Sequence, residues 1–309
     1  MTGLTRLGLG ALLLAGGLAV TAARLPAEDQ GLPRNANVPV KIGMVGTLFR
    51  DQPPALVLAM MKPFGSVMKA QTGVPGELVV GGDPFQLAKM LIDNEVQLGV
   101  FHGIEYGWVR EKHPELQPLM IAVSKHQHVH CALIVRASSD AEEFADLEGG
   151  TLALPKGTRE HTRLFLNKHC QACGHEQDTH FKKTTIPPTI EDALEDVVDG
   201  NVTAALVDEV GFEEYKRRKP TRCTQLRSLI RSEVFPSGAI VYHPGFLDEA
   251  TLKRFRHGML TADKSIMGKQ MLMMWRLTGF EPVPKDYDET LKNIIKVYPP
   301  PPPERAASK

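Results

Sequence analysis

Two stretches of eighteen residues that can be laid on each other without a gap decide the fold. FQLAKMLIDNEVQLGVFH runs from Phe85 to His102, and EDALEDVVDGNVTAALVD runs from Glu191 to Asp208. Each stretch has the pattern of an amphipathic helix, a tight turn and a short apolar strand. The superposition places His102 and Asp208 at matching positions, where each strand ends. A repeated unit of this kind predicts two similar α/β lobes.

Apolar runs alternate with helical patterns on either side of these units. VKIGMVG (40–46) predicts a strand, and PPALVLAMMKPFGSVMKAQTG (53–73) predicts the helix after it. Such alternation is typical of parallel strands joined by crossover helices. Two further strand patterns, SKHQHVHCALIVRASSD (124–140) and SEVFPSGAIVYHPGF (232–246), lie where the chain would pass between the lobes. Two crossings of this kind make a hinge.

The predicted fold is therefore α/β with two lobes joined by two hinge strands, each lobe a mostly parallel sheet flanked by helices. The predicted boundaries are 38–130 plus 244–298 for lobe one and 137–236 for lobe two. Open α/β sheets bind ligands at the carboxyl ends of their strands. His102 and Asp208 stand at such ends, so both are candidate ligand-binding residues.

A third candidate is the stretch ALPKGTREHTRLF, from Ala153 to Phe165. An apolar run stops at Pro155, and a helical pattern opens at Thr158 with Arg159 and His161 in its first turn. Backbone N–H groups at a helix start have no partner within the helix, so this junction can hold an anion. The alternative is that Thr158 only caps the helix.

Charge and motifs exclude several classes of protein. Lys plus Arg equals Asp plus Glu at 36 each, so no overall field favours nucleic acid or an acidic membrane. The chain contains no GxSxG, Walker, HExxH or GxGxxG motif. We therefore expect a binding protein without enzymatic activity, cofactor or nucleic-acid partner, and we expect it to be monomeric.

The two ends of the chain carry their own patterns. Residues 1–27 place Arg6 before an apolar run and small residues, which is the layout of a cleavable signal peptide. The alternative, a transmembrane anchor, would need a longer apolar run. We expect export to the periplasm. YPPPPPERAASK begins at Tyr298, and its composition predicts a disordered proline-rich tail over 299–309.

Histidine and cysteine patterns suggest a second kind of ligand. HQHVH places His126, His128 and His130 on one face of a strand, where they could bind zinc or copper. The alternative is three solvated or hydrogen-bonded side chains. The CxxC pair of Cys170 and Cys173 has no second pair at zinc-ribbon spacing, which favours a local disulfide or inert thiols.

A family resemblance rests on five segments in one order. They are VKIGMVGTLF, DNEVQLGVFHGIEYGWV, CALIVRASSDAEEFADLEGGTLALPKGT, DGNVTAALVD and PSGAIVYHPGFLDEATLKRFRHGML. Over about residues 38–265 the chain resembles the phosphonate-type substrate-binding proteins of ABC transporters. That resemblance implies the type 2 periplasmic binding fold.

The resemblance also implies site residues. Tyr106 in GIEY matches an aromatic residue that reaches the ligand in that family. Thr158 matches the start of a Ser/Thr-rich phosphonate cradle, in which Arg159 and Glu160 replace two hydroxyl donors. Asp208 matches an acidic residue that meets the ligand amine in aminophosphonate binders. The resemblance therefore predicts the fold well but the ligand poorly.

The function expected from the sequence is a periplasmic solute-binding protein that passes a small anion to an ABC transporter permease. The leading ligand is a phosphonate, phosphate or related oxyanion, held by the helix start at Thr158, Arg159 and His161, which faces Tyr106 and His102 across the cleft. The alternatives are a transition-metal or metal-chelate binder using the three histidines, and a sensory or scaffold protein that does not transport.

Overall fold

The computed structural model describes residues 38–301, so the predicted signal peptide (1–27) lies outside the described residues, as do residues 302–309 of the predicted tail. Among residues 38–301, no helix combines the length and the apolar composition needed to cross a bilayer. The helices in chain order are α1 (Pro54–Met61), α2 (Phe64–Thr72), α3 (Pro84–Ile92), α4 (Gly103–Lys112), α5 (Glu160–Ala172), α6 (Gln177–His180), α7 (Ile190–Asp199), α8 (Glu209–Arg218), α9 (Pro220–Cys223), α10 (Glu249–Leu260), α11 (Ile266–Met274) and α12 (Tyr287–Val297).

The strands form one sheet in each lobe and a small sheet between them. In spatial order, the first sheet contains β13 (Gly279–Glu281), β4 (Gln117–Val123), β12 (Gly238–Tyr242), β3 (Leu98–Phe101), β1 (Val40–Met44) and β2 (Gly76–Val80). The second contains β10 (Leu226–Arg231), β6 (Cys131–Arg136), β9 (Ala204–Asp208), β7 (Thr151–Ala153) and β8 (Lys183–Thr185). The small sheet pairs β11 (Phe235–Pro236) with β5 (His128–Val129).

Each large sheet is mixed, and most of its strands run in one direction, as predicted. Strands β1 and β7 pair in parallel with both of their neighbours. The strands that follow the hinge, β6 and β12, pair antiparallel with both of theirs. The reason is that the crossover helices fix the direction only of the strands they join, whereas β6 and β12 enter their sheets from the hinge.

Both faces of each sheet are buried. Along β12, Ile240 belongs to one hydrophobic cluster, while Ala239 and Val241 belong to another. Along β6, Leu133 and Ile134 likewise belong to different clusters. Neighbouring strand residues point to opposite faces, so apolar clusters on both faces place each sheet between two layers of helices.

The repeated unit folds twice in the same way. Helix α3 leads through a turn to β3, and α7 leads through a turn to β9. The matching turn residues Asn94 (φ 56°) and Gly200 (φ 77°) both adopt the left-handed conformation, which those residue types tolerate best. After each strand, the matching residues His102 and Asp208 precede the next helix as its N-cap.

The chain passes between the two large sheets through the small one. Strand β5 carries it from β4 to β6, and β11 carries it back from β10 to β12. Phe235 of β11 is buried against Tyr298, with their ring centroids 4.9 Å apart. Two neighbouring strands with a small apolar cluster of their own suit a hinge, because few residues must change conformation when the lobes move.

Candidate functional site

Residues of both lobes line two adjoining spaces between the sheets. The larger is an open cleft of about 720 Å³, lined by Thr158, Arg159 and Asp208 of lobe two and by Arg276 and Thr278 of lobe one. Two of the predicted ligand residues, Thr158 and Asp208, therefore lie in this cleft, and Arg159 lies at the point where the two spaces adjoin.

The smaller space is a cavity of about 30 Å³ beside the hinge. It is lined by His102 of lobe one, His161 and Arg159 of lobe two, and the hinge residues Pro236 and Ser237. A water needs roughly 10–15 Å³ of this volume, so the cavity holds about two water-sized groups. Arg159 lines both spaces and thereby connects them.

The start of α5 is left without a side-chain cap. Strand β7 ends at Ala153, and Gly157 makes the turn with φ of 74°, which favours glycine. The Thr158 hydroxyl donates to the Pro155 carbonyl at 2.5 Å, so it closes the turn rather than capping the helix. The N-cap is Arg159, whose side chain makes no capping bond. The cap interpretation of Thr158 is therefore wrong, and the helix start can accept an anion.

Arg159 is a cation without a carboxylate partner among residues 38–301. Its guanidinium donates to the Ser124 hydroxyl at 2.6 Å, a contact between lobe two and the end of β4 in lobe one. No Asp or Glu of the described chain forms an ion pair with it. A guanidinium in this position remains free to bind a ligand anion.

Two neutral imidazoles lie beside Arg159; His161 is buried and His102 is half-buried. Burial, with help from the Arg159 and Arg50 charges, lowers the pKa of His102 to about 3. Burial and the Arg159 charge hold the pKa of His161 well below its ordinary value. In both rings the Nε2 atom is buried without a hydrogen-bond partner in the described chain. Because an unpartnered buried polar atom is costly, these two atoms mark a place where a ligand would gain hydrogen bonds.

The Asp208 carboxylate has a structural role in the fold. It is the N-cap of α8, and its Oδ1 accepts from the Val210 backbone N–H at 2.9 Å. Burial raises the pKa of Asp208, whereas the Arg159 charge acts to lower it. Asp208 therefore lines the cleft while completing the helix that follows its own strand.

Tyr106 does not face the cleft, which corrects the prediction. Its side chain is fully buried, its ring stacks on Tyr287 of α12, and its hydroxyl donates to the Leu116 carbonyl at 3.0 Å. Arg110 donates to the same hydroxyl from the next turn of α4. The ring packs in the core because α4 turns that face towards α12.

Sequence reasoning did not select a group of charged residues between the lobes. Glu105 is 1 % exposed, and its carboxyl accepts from the Thr47 hydroxyl at 2.7 Å and from the His102 backbone N–H at 3.2 Å. Burial raises the pKa of Glu105 to about 8. Arg50 of lobe one pairs with Glu160 of lobe two at 2.9 Å.

Part of this group could have been found in the sequence by applying the rule that ligands bind at the carboxyl ends of strands. Thr47 and Arg50 follow β1, just as His102 follows β3. Applied to the end of β1 as well as to the repeated unit, the rule would have selected both residues as candidates.

The three histidines of HQHVH do not lie on one strand as predicted, and each contacts a different partner, as the solvated or hydrogen-bonded interpretation expects. Strand β5 covers only His128 and Val129, so no continuous strand carries all three. His126 lies 3.5 Å from Glu213, His128 lies 3.7 Å from Asp286, and His130 contacts the Ser232 carbonyl at 3.2 Å. Within residues 38–301, no three His, Cys, Asp or Glu side chains are grouped to hold a metal ion. Cys170 and Cys173 are free thiols.

A family model decides the identity of the chain. The model described as "ABC transporter, phosphonate, periplasmic substrate-binding protein" matches residues 47–287, which is most of the sequence. The chain belongs to this family. The phosphonate-type resemblance predicted from the five segments is therefore confirmed, although no curated protein matches the chain by sequence.

Several solved structures share the fold of this chain. XAC2383 from Xanthomonas citri, bound to chloride ion, is 17% identical; the match covers 82% of this chain and 95% of that chain, with a TM-score of 0.56. The same protein bound to ATP is 16% identical, with coverage of 82% and 94% and a TM-score of 0.55. PhnD1 from Prochlorococcus marinus in complex with methylphosphonate is 15% identical, with coverage of 84% and 97% and a TM-score of 0.52. At these identities the similarity establishes the fold alone, and it confirms the predicted two-lobe fold.

Proposed function

We propose that this phosphonate-type family member is the periplasmic solute-binding component of an ABC transporter and binds a phosphonate, phosphate or related small oxyanion between its lobes. The observation that carries the proposal is the cavity at which Arg159 meets two imidazoles, those of His102 and His161, whose Nε2 atoms are buried without a partner in the described chain. The family match supports the transport role.

The chemistry of these groups favours an oxyanion over a cation. A neutral imidazole with its proton on Nε2 donates one hydrogen bond, and Arg159 donates charged ones. The uncapped start of α5 adds backbone N–H groups and the positive end of the helix dipole. Burial is the main cause of the lowered histidine pKa values, and the Arg159 charge adds to it; that same positive charge would repel a metal ion at this position.

Binding requires the site to open from the arrangement described. The cavity has room for about two water-sized groups, which is enough for oxygens of a ligand but too little for a whole tetrahedral head group. The wide cleft on the other side of Arg159 can take the remainder of the ligand. We infer that the lobes separate at β5 and β11, admit the anion and close on it.

The rest of the proposed role follows from the family. We infer that residues 1–27 direct export and are removed, that the mature protein works in the periplasm as a monomer, and that the closed, loaded form delivers the anion to a membrane permease. The transition-metal alternative loses its support because the three histidines contact three different partners.

The test is calorimetric titration of wild type and Arg159→Ala with phosphate, phosphite, methylphosphonate and 2-aminoethylphosphonate. Loss of a charge-assisted hydrogen bond costs about 1.5–3 kcal/mol, so we expect Arg159→Ala to weaken binding roughly 10- to 150-fold. The matched control is Lys183→Ala, which removes one exposed cation of lobe two outside both spaces and should bind like wild type. Equal affinity of Arg159→Ala and wild type, or no binding of any of the four anions, would contradict the proposal.

A further inference from the structure

The two lobes are joined by ion pairs that cross the cleft. Arg50, which follows β1 in lobe one, lies 2.9 Å from the carboxylate of Glu160, the first residue of α5 in lobe two. One turn further along α5, Arg163 pairs with Asp51 of lobe one. Both pairs therefore join the segment after β1 to the first two turns of α5.

Glu160 is largely buried between these residues. Its side chain is 12% exposed, whereas that of Arg50 is 40% exposed. Burial raises the pKa of Glu160, whereas the charges of Arg50 and Arg163 act to lower it and favour the ionised form. Glu105 of α4 is the acidic group that acts on it from lobe one. Taking a carboxylate out of water is expensive, and opposite charges must offset that cost. In this protein the offset comes mainly from a cation of the opposite lobe.

Glu160 thus has the features expected of a bound anion. It lies between the lobes, it is mostly removed from solvent, and it is held by a cation of the other lobe. It also immediately follows Arg159, the cation assigned above to the ligand. Because two anions in neighbouring positions repel each other, an oxyanion at Arg159 and an ionised Glu160 oppose each other directly.

We propose that Glu160 is an internal competitor of the ligand: its carboxylate pairs with Arg50, holds the lobes together when the site is empty and is displaced when an oxyanion binds. The displacement step rests on the proposed function, whereas the holding of the empty lobes does not. Glu160 is therefore an affinity-determining residue that sets a threshold concentration for the ligand. When a self-paired closed form is in equilibrium with an open form, only the open fraction of the protein can bind the ligand. The apparent affinity is therefore reduced in proportion to that fraction.

Three variants, each replacing a charged side chain with a neutral one, separate the holding of the empty lobes from the displacement of Glu160 by the ligand. Glu160→Gln keeps the shape of the side chain but removes the competing charge. Arg50→Gln breaks the same pair from lobe one and leaves Glu160 charged. Asp51→Asn breaks the neighbouring pair with Arg163 and serves as the matched control, since it weakens a cross-lobe contact without touching the Arg50 pair.

Small-angle X-ray scattering of the ligand-free proteins measures the first step. We expect a larger radius of gyration for Glu160→Gln and Arg50→Gln than for wild type, and we expect high salt to open wild type but to change Glu160→Gln little. A wild type that is already as open as Glu160→Gln, at low as well as high salt, would overturn the holding role.

Calorimetry with inorganic phosphate and methylphosphonate measures the second step. We expect Glu160→Gln to bind about 5- to 10-fold more tightly than wild type, by removal of one competing ion pair, and more tightly than Asp51→Asn. Arg50→Gln tests the same step if Glu160→Gln does not fold, since it should gain affinity through opening, although less than Glu160→Gln because the competing charge remains. Equal or weaker binding by Glu160→Gln would overturn the inference while leaving the proposed function intact. If neither wild type nor the variants bind these anions but Glu160→Gln is more open, the proposed function fails and the holding role stands.

Discussion

Both copies of the repeated unit end in a polar residue, but this residue has a different role in each copy. In lobe two, β9 ends at Asp208, whose carboxylate accepts from the Val210 N–H and completes α8. In lobe one, β3 leads to His102, whose Nε2 is buried without a partner in the described chain. In the capping box of lobe one, Glu105 accepts from the His102 N–H, and the His102 Nε2 atom takes no part.

This difference shows how a polar residue at a strand end becomes available to a ligand. A side chain that satisfies its own helix has fewer hydrogen bonds left to offer, as at Asp208. When a residue further along the helix supplies the cap, the residue at the strand end keeps its polar atom for another partner, as at His102. Position alone marks both residues as candidates, and hydrogen bonding distinguishes them.

The largest expected effect concerns Glu105, the capping carboxyl of lobe one. Burial raises its pKa to about 8 from an ordinary value of 4.5, so between these pH values the folded protein holds a proton that the unfolded chain releases. The bound proton stabilises the folded protein by an amount on the order of a few kcal/mol. This stabilisation is complete below pH 4.5 and is lost as the pH rises to about 8. Glu105→Gln should remove this dependence, which urea unfolding from pH 4.5 to 9 measures.

The quantity to compare is the difference in free energy of unfolding between wild type and Glu105→Gln at each pH. His102 and His161, whose pKa values are lowered by burial, oppose the trend, because stability from neutral imidazole is lost as pH falls below about 6.5. That contribution is common to wild type and Glu105→Gln and cancels in the difference. A difference in free energy of unfolding that stays flat from pH 4.5 to 8 would show that Glu105 is ionised throughout.

The next effect concerns Asp208 as a cap. Removing an N-cap carboxylate costs about 0.5–2 kcal/mol, so we expect Asp208→Ala to lose that much stability in urea unfolding, whereas Asp208→Asn, which can still accept from the Val210 N–H, should lose less. Oxyanion affinity should change little in either variant. If Asp208→Ala instead lost affinity as strongly as Arg159→Ala, Asp208 would act in binding and the contrast with His102 would fail.

The sequence predicted the fold because the fold depends on local patterns. The helix, turn and strand of each repeated unit are encoded within eighteen residues, and the left-handed turns at Asn94 and Gly200 fall in register. The same local signals placed His102 and the start of α5 at the cleft. The reversed directions of β6 and β12 could not be predicted, because they depend on how these strands enter their sheets from the hinge.

The parts of the site that could not be predicted depend on contacts between distant residues. Tyr106 packs against Tyr287, and Arg50 pairs with Glu160, and neither contact leaves a trace in local periodicity. The direction of a ring on α4 is set by the later helix α12, so the family match at Tyr106 could not establish it. The pairing across the cleft depends on how the lobes close, which no single segment encodes.

The smallest expected effect tests His102 directly. Leu is close in size to His but offers no hydrogen bond, so His102→Leu should weaken phosphate or methylphosphonate binding by about 0.5–1.5 kcal/mol, roughly 2- to 10-fold in calorimetry. Its stability should stay equal or rise, because the substitution removes a buried polar atom that has no partner in the described chain. His113→Leu, at the other end of α4, is the control and should leave affinity unchanged. Unchanged affinity together with lower stability in His102→Leu would mean that the imidazole serves the fold, as Asp208 does.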